Sequence, residues 1–213
     1  MKLVLASNNA NKLSELRDLF AALPIELSTQ GSLGIGEAGE PHATFVENAL
    51  AKARHAARTS GLPAIADDSG LCVDALGGAP GVASAHFAPL PEDGSTAETN
   101  RERRRARQDR ANNALLLARL QGHGDRRARF VSSLVALRSA DDPEPLITFG
   151  HWDGEVLRAP RGQGGFGYDP LLFIAPLGRT VAELPIDVKN EHSHRALAAR
   201  RMLALMREAW RLD

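Results

Sequence analysis

The apolar residues of this chain switch between two spacings, and that alternation limits the fold more than any other feature. Residues 2–6, KLVLA, form a short β-prone run, and Leu13, Leu16, Phe20 and Leu23 then recur at helical spacing through a segment without Pro or Gly. The chain therefore opens strand, loop, helix. A second helix is expected from Thr44, because Thr44 with Glu47 three residues later makes a capping box and Phe45, Ala49, Leu50 and Ala53 follow; Gly61 and Pro63 end it. The run PAIA (63–66) reads as a buried strand that stops at Asp67-Asp68-Ser69-Gly70, with LCVDAL as a further strand before the turn-rich GGAPG. Residues 95–121 read as helix, 130–137 and 146–156 as long strands, and 195–210 as a closing helix. Strands interleaved with helices point to an α/β fold. With no repeat and no clear linker, residues 1–213 are expected to form one domain of two lobes.

Charge and cysteine content narrow the function classes. The 213 residues carry 26 Lys+Arg and 26 Asp+Glu, so no bulk attraction to nucleic acid or to an anionic membrane is available and any anionic ligand must be gripped locally. The Arg-rich piece RERRRARQDR (101–110) also contains Glu102 and Asp109 and no interleaved aromatic, which favours a solvated helix face over a nucleic-acid patch. A single cysteine, Cys72, forbids an internal disulfide and a four-Cys zinc site; it is expected to be a small core residue in a reducing, cytoplasmic setting. The N-terminus turns polar after five residues, and no stretch approaches the roughly 18 apolar residues of a membrane helix. A soluble protein is expected.

Several constellations can carry chemistry. Ser7-Asn8-Asn9-Ala10-Asn11-Lys12 lies between the first strand and the first helix, where free backbone N–H groups, the helix dipole and the Lys12 charge suit an anion; without a GxxxxGK[ST] loop, the same residues also read as a plain capping turn. Asn48, Lys52 and His55 fall at i, i+4 and i+7 on one helix face, which looks either into a cleft or, as periodicity favours, out to solvent. Asp67 and Asp68 are adjacent on a strand and so point to opposite faces; one can enter a cleft, holding Mg²⁺ or activating water, while the other orients backbone, or both serve only a turn. A sparse acidic set such as Glu37, Glu40 and Asp68 suits magnesium better than calcium.

Residues 162–167, GQGGFG, match a dinucleotide fingerprint, but Tyr168-Asp169-Pro170 follows where a helix should begin, so that reading fails. What remains is a Gly-rich loop that presents Phe166 beside Tyr168 and Asp169, suited either to stacking on a flat ring or to packing in a tight turn. Lys189-Asn190-Glu191-His192-Ser193-His194-Arg195 concentrates donors before the last helix, with Ser193 or Asn190 as N-cap; the spacing of His192 and His194 does not suit zinc.

Taken in order, SNNANK, TFVENALAKA, PAIADDSGL, LGGAPGV, GGFGYDPLL and KNEHSHR resemble the motifs of the ITP/XTP pyrophosphatases, the house-cleaning inosine triphosphatase family, over residues 3–195. The resemblance implies a homodimer of two-lobed α/β subunits, each with a long mixed β-sheet flanked by helices and an active-site cleft between lobes. It implies a Mg²⁺-dependent enzyme that hydrolyses deaminated purine nucleoside triphosphates (ITP, dITP, XTP) to the monophosphate and pyrophosphate. By motif, Ser7, Asn8, Asn9, Ala10, Asn11 and Lys12 would hold the triphosphate, Lys52 would reach the phosphates, Asp68 would be general base and metal ligand, and Ser69 would contact substrate. Phe166, Gly167, Tyr168 and Asp169, with Lys189, His194 and Arg195, match the base-recognition positions, where donors meet a 6-keto oxygen. Members commonly carry two adjacent acidic residues six and five positions before the Phe of the TF pair, the first of them a Mg²⁺ ligand. Here those positions are Gly39 and Glu40, so Glu40 is the expected substitute, with Glu37 behind it. Two rival readings are a pyrophosphatase for other modified nucleotides and a non-catalytic nucleotide sensor.

Overall fold

A computed structural model describes residues 1–21, 24–89 and 101–212, and within them all side chains but those of residues 10, 11, 18, 101 and 102. The elements are β1 (Lys2–Leu5), α1 (Ala10–Phe20), β2 (Glu26–Thr29), α2 (Phe45–Ser60), β3 (Ala64–Val73), α3 (Arg101–Arg119), β4 (Arg127–Leu137), β5 (Leu146–Val156), β6 (Leu172–Ile174), β7 (Arg179–Thr180), α4 (Ile186–His192) and α5 (His194–Trp210), joined in places by short 3₁₀ turns. The strands form one seven-stranded sheet in the order β2-β1-β3-β4-β5-β6-β7. β1 pairs in parallel with both β2 and β3, which requires the crossover helices α1 and α2, whereas β5–β6 and β6–β7 pair antiparallel. The sheet is mixed and the fold is α/β.

By density of contacts the chain divides into two compact units, Met1–Ser69 with Val131–His151 and Lys189–Asp213, and Gly70–Phe130 with Trp152–Val188. In the first, strand alternation sends Leu3, Leu5, Ile65 and Leu134 to a face packed with Leu16 and Phe20 of α1 and with Met202 and Met206 of α5. The opposite face carries Val4, Ala64, Ala66, Val135 and Leu137 against Ala49, Ala53 and Ala56 of α2, whose small side chains bring that helix close to the sheet. The second unit has its own core of Leu71, Val73, Leu116, Leu120, Phe130, Trp152 and Leu172.

Local signals set several boundaries. Thr44 is the N-cap of α2, its hydroxyl accepting from Glu47 N–H and donating to the Glu47 carboxylate (2.5 Å), and Gly61 closes the helix with φ +68°. Ser193, not Asn190, caps α5 by accepting from Ala196 N–H (3.1 Å). β5 has the expected bounds. Of the helix expected over 95–121, residues 95–100 lie outside the described residues, as does Leu23; α3 covers Arg101–Arg119. Arg103, Arg104, Arg105 and Arg110 are exposed.

One expectation is corrected. The strand at PAIA does not stop at Asp67; β3 runs unbroken through Asp67-Asp68-Ser69-Gly70 to Val73. The turn reading fails because both carboxylates are neutralised by side chains from elsewhere in the chain. Gly70 is required not by a turn but by close approach: a Cβ there would lie 2.5 Å from the Gly81 carbonyl oxygen. Cys72, at the far end of β3, is a free thiol and only half-buried, rather than a core residue.

Leu134 is fully buried on β4. Leu134→Ala is expected to cost about 2–5 kcal/mol of unfolding free energy, and Thr44→Ala about 1 kcal/mol, both read from urea denaturation. The reverse order would mean that the α2 cap, and not the sheet face, limits stability.

Candidate active site

β3 positions the chemistry. Asp67 and Asp68 are consecutive on the strand, so their carboxylates leave the sheet on opposite faces, Asp67 toward α1 and α5 and Asp68 toward α2. Asp67 Oδ1 accepts from Ser132 Oγ (2.6 Å) on β4. Its Oδ2 pairs with Lys12 Nζ (2.8 Å), accepts from Ser69 Oγ (3.1 Å) and meets Arg195 Nε and Nη2 (both 3.5 Å). Arg195, fully buried, also donates from Nη1 to Glu15 Oε2 and from Nη2 to Ser69 Oγ (3.0 Å), and Glu15 Oε1 pairs with Lys189 Nζ (3.0 Å). Lys12, Asp67, Arg195, Glu15 and Lys189 thus form one chain of alternating charge, three cations against two carboxylates.

Burial works against the charge on Asp67, yet Lys12 and Arg195 outweigh it and hold the carboxyl far below the usual range. Glu15 is likewise lowered, Arg195 and Lys189 overcoming its burial. Lys12 is lowered from its ordinary value, first by burial and then by Arg195 and Lys52 nearby, against the attraction of Asp67. His194 at the start of α5 is buried, and burial together with Arg195 pushes its pKa well down, so it is neutral at physiological pH.

On the other face Lys52 of α2 donates to Asp68 Oδ1 (2.8 Å) and to Glu40 Oε1 (2.6 Å), and its side chain is only 12% exposed. The solvent-facing reading that periodicity favours for Lys52 is therefore corrected. Two carboxylates outweigh burial and raise the Lys52 pKa, whereas for Asp68 burial outweighs Lys52 and raises the carboxyl. The loop that carries Glu40 is held by the same helix face: Asn48 accepts from His42 N–H (3.0 Å) and donates to His42 O (3.2 Å), and His55 Nε2 lies 3.0 Å from Gly36 O. Here the surplus charge is negative, two carboxylates against one lysine.

Among the described residues no cluster of three or more His, Cys, Asp or Glu could hold a metal by itself. The donor set nonetheless fits a magnesium ion that arrives with phosphate. Asp68 Oδ2 is buried and has no partner among the described residues, Glu40 is linked to Asp68 through Lys52, and Mg²⁺ needs only one or two carboxylates with waters and phosphate oxygens completing its shell. Glu37 is engaged elsewhere, accepting from Asn8 Nδ2 (3.0 Å).

The SNNANK segment ends in a helix start: Ser7 Oγ accepts from Asn9 N–H (3.2 Å) and Asn9 Oδ1 accepts from Lys12 N–H (3.3 Å), while Ala10 and Asn11 form the first residues of α1. This fixes Lys12 in the first turn, aimed at Asp67. In the second unit, residues 162–169 form a turn outside helix and strand, with Phe166 half-buried. Asp169 Oδ2 accepts from Phe166 N–H (3.0 Å), and a Cβ on Gly165 (φ +72°) would fall 2.0 Å from that oxygen. Tyr168, buried, donates to Ser84 O (2.9 Å), and burial raises its hydroxyl pKa.

Contacts within the first unit join Lys12, Ser69, Arg195 and Lys189 through Asp67 and Glu15 on one face of β3 and join Lys52 to Asp68 on the other, and Phe166 to Asp169 stand together in the second unit. Sequence reasoning missed Glu15, Ser132 and the role of Asp67 as the hub of two cations. For Glu15 there was a signal, since it lies three residues after Lys12 on the same helix face.

The family model for the Ham1 family matches residues 3–205. A protein from Methylibium petroleiphilum named dITP/XTP pyrophosphatase is 70% identical over 210 residues, 99% of each chain. Among solved structures, a HAM1 protein from Coxiella burnetii superposes with a TM-score of 0.84 at 40% identity, covering 98% of this chain and 99% of that one. The Staphylococcus aureus Ham1 protein does so with a TM-score of 0.81 at 32% identity, covering 98% of this chain and all of the other. With a match that spans nearly its whole length and the motif residues in place, this chain belongs to the Ham1 family.

Proposed function

We propose that this protein is a dITP/XTP pyrophosphatase that hydrolyses ITP, dITP and XTP to the monophosphate and pyrophosphate, with Mg²⁺ as cofactor. The observation that carries the reading is the buried Asp68 Oδ2, without a partner among the described residues, with Lys52 on the other oxygen of the same carboxylate and Lys12 paired to the neighbouring Asp67 on the opposite face of the strand. The names of its relatives, shared over nearly full length, support the same activity. A homodimer in the cytoplasm goes with this reading.

Lys12 and Lys52 neutralise triphosphate oxygens, an interaction strengthened by their burial. Magnesium, when bound, would be held by Asp68 with Glu40 and would offset charge on the phosphate oxygens. Asp68 Oδ2 takes a proton from water as its oxygen bonds to the α-phosphorus, and the bond to the β-phosphate oxygen breaks to release pyrophosphate. Phe166 stacks on the purine, and a hydrogen-bond donor meets its 6-keto oxygen.

Pyrophosphate release from ITP should exceed that from ATP by a factor on the order of 10⁴, because a 6-amino group leaves buried donors unpaired. Asp68→Asn should lower kcat for ITP by about 10²–10⁴. Activity that survives in Asp68→Asn would move the base elsewhere, and Mg²⁺-dependent ITP binding without release in the wild type would leave a nucleotide sensor.

Since burial raises the Asp68 carboxyl, its base form is lost as pH falls through a value above the ordinary aspartate range. The acid limb of kcat/KM for ITP is expected above about pH 4. The same sign makes ionised Asp68 a cost to the folded state at neutral pH, so Asp68→Asn should be at least as stable to urea as the wild type while inactive. A marked loss of stability would show that the carboxylate serves the fold.

A further inference from the structure

Arg105, Asp109 and Asn113 fall four residues apart on α3 and share one face of that helix. All three reach the Phe166–Gly167 turn, within the same compact unit. The Arg105 guanidinium lies over the Phe166 ring, 6.0 Å from its centroid. Asp109 Oδ2 accepts from Gly167 N–H (2.9 Å), and Asn113 Nδ2 donates to Gly167 O (3.0 Å). Gly167 has φ +61° and lies outside helix and strand, so no backbone ladder supports its orientation. Two side chains take that role, one on each polar group of the residue.

Part of the Arg-rich segment therefore does more than face solvent. We propose that Asp109 and Asn113 are positioning residues for purine recognition: by fixing both polar groups of Gly167 they set the plane of the Phe166 ring and the direction of the Tyr168-Asp169 backbone. The inference rests on the reading of Phe166 to Asp169 as the base-recognition turn. Asp109 supplies the stronger hold, since its bond is charge-assisted. Asn113 Oδ1 is buried and has no partner among the described residues, which leaves that side chain its bond to Gly167 O. A loosened turn weakens the grip on the base without touching Lys12, Lys52 or Asp68, and a loss of that kind raises KM at nearly constant kcat.

The test is steady-state pyrophosphate release from ITP and ATP by wild type, Asp109→Ala, Asp109→Asn and Asn113→Asp, with hydrogen exchange at the Gly167 amide. Asp109→Ala is expected to raise KM for ITP about tenfold with kcat within about threefold, to narrow the preference for ITP over ATP, and to speed exchange at Gly167. Asp109→Asn keeps an acceptor oxygen and should recover most of the affinity. Asn113→Asp replaces the donor with a carboxylate facing a carbonyl and should raise KM similarly, which keeps the test open if Asp109→Ala does not fold. Unchanged KM and preference in both Asp109→Ala and Asn113→Asp, with an active wild type, would overturn the proposal alone, as would a fall in kcat shared by ITP and ATP at constant KM. A wild type that releases no pyrophosphate from ITP, dITP or XTP would instead overturn the functional reading, and the proposal with it.

Discussion

A carboxylate buried in the middle of a sheet is tolerable only if its charge is met, and the first unit is arranged around meeting that of Asp67. Ser132 from β4, Lys12 from α1 and Arg195 from α5 converge on it, so the acid ties together a neighbouring strand and two helices that otherwise touch through apolar packing. Such a network rests on completeness. Removing one partner leaves a buried charge unpaired, at a cost of about 3–5 kcal/mol, and the chain of contacts through Arg195 and Glu15 to Lys189 would carry the disturbance across the site.

The two faces of β3 carry opposite surpluses. Toward α1 and α5, Lys12, Arg195 and Lys189 exceed Asp67 and Glu15 by one positive charge; toward α2, Glu40 and Asp68 exceed Lys52 by one negative charge. In a chain with no net charge, these local imbalances supply what its bulk composition denies, and on the proposed function they would serve a polyanion and a divalent cation. The positive surplus is largely shielded from water, as are Lys52 and Asp68 of the negative one, while Glu40 is exposed; a shielded charge counts for more than it would on an exposed surface.

Elements built from local chemistry were legible in the sequence. The α2 cap at Thr44, its Gly61 stop and the full extent of β5 follow from neighbours a few residues away. The pairings that define the site were not, because ion pairs over long separations leave no periodic trace. Lys52 reaches Glu40 and Asp68, 12 and 16 residues distant, and Arg195 reaches Glu15 across 180. Seen locally, Lys52 is a surface lysine beside an apolar stripe, and DDSG is a turn. The resemblance to a known family supplied the grouping of Lys12, Lys52 and Asp68 that periodicity could not, while Glu15 and Ser132 lay outside its motifs.

Asp67 and Asp68 show most directly how placement rather than residue type decides chemistry. They are covalently alike and consecutive, yet burial is answered by two cations at Asp67 and by one, itself shared with Glu40, at Asp68. The first is held ionised and has both oxygens engaged; the second is raised and keeps one oxygen without a partner among the described residues. A carboxylate that gives up its proton readily and is fully bonded is a poor base and a good strut, whereas one with a raised pKa and an open lone pair is the better proton acceptor. An α/β strand that alternates its side chains between two helical layers places these two environments one residue apart, and the division between a fully bonded acid and one with an open oxygen follows from that alternation.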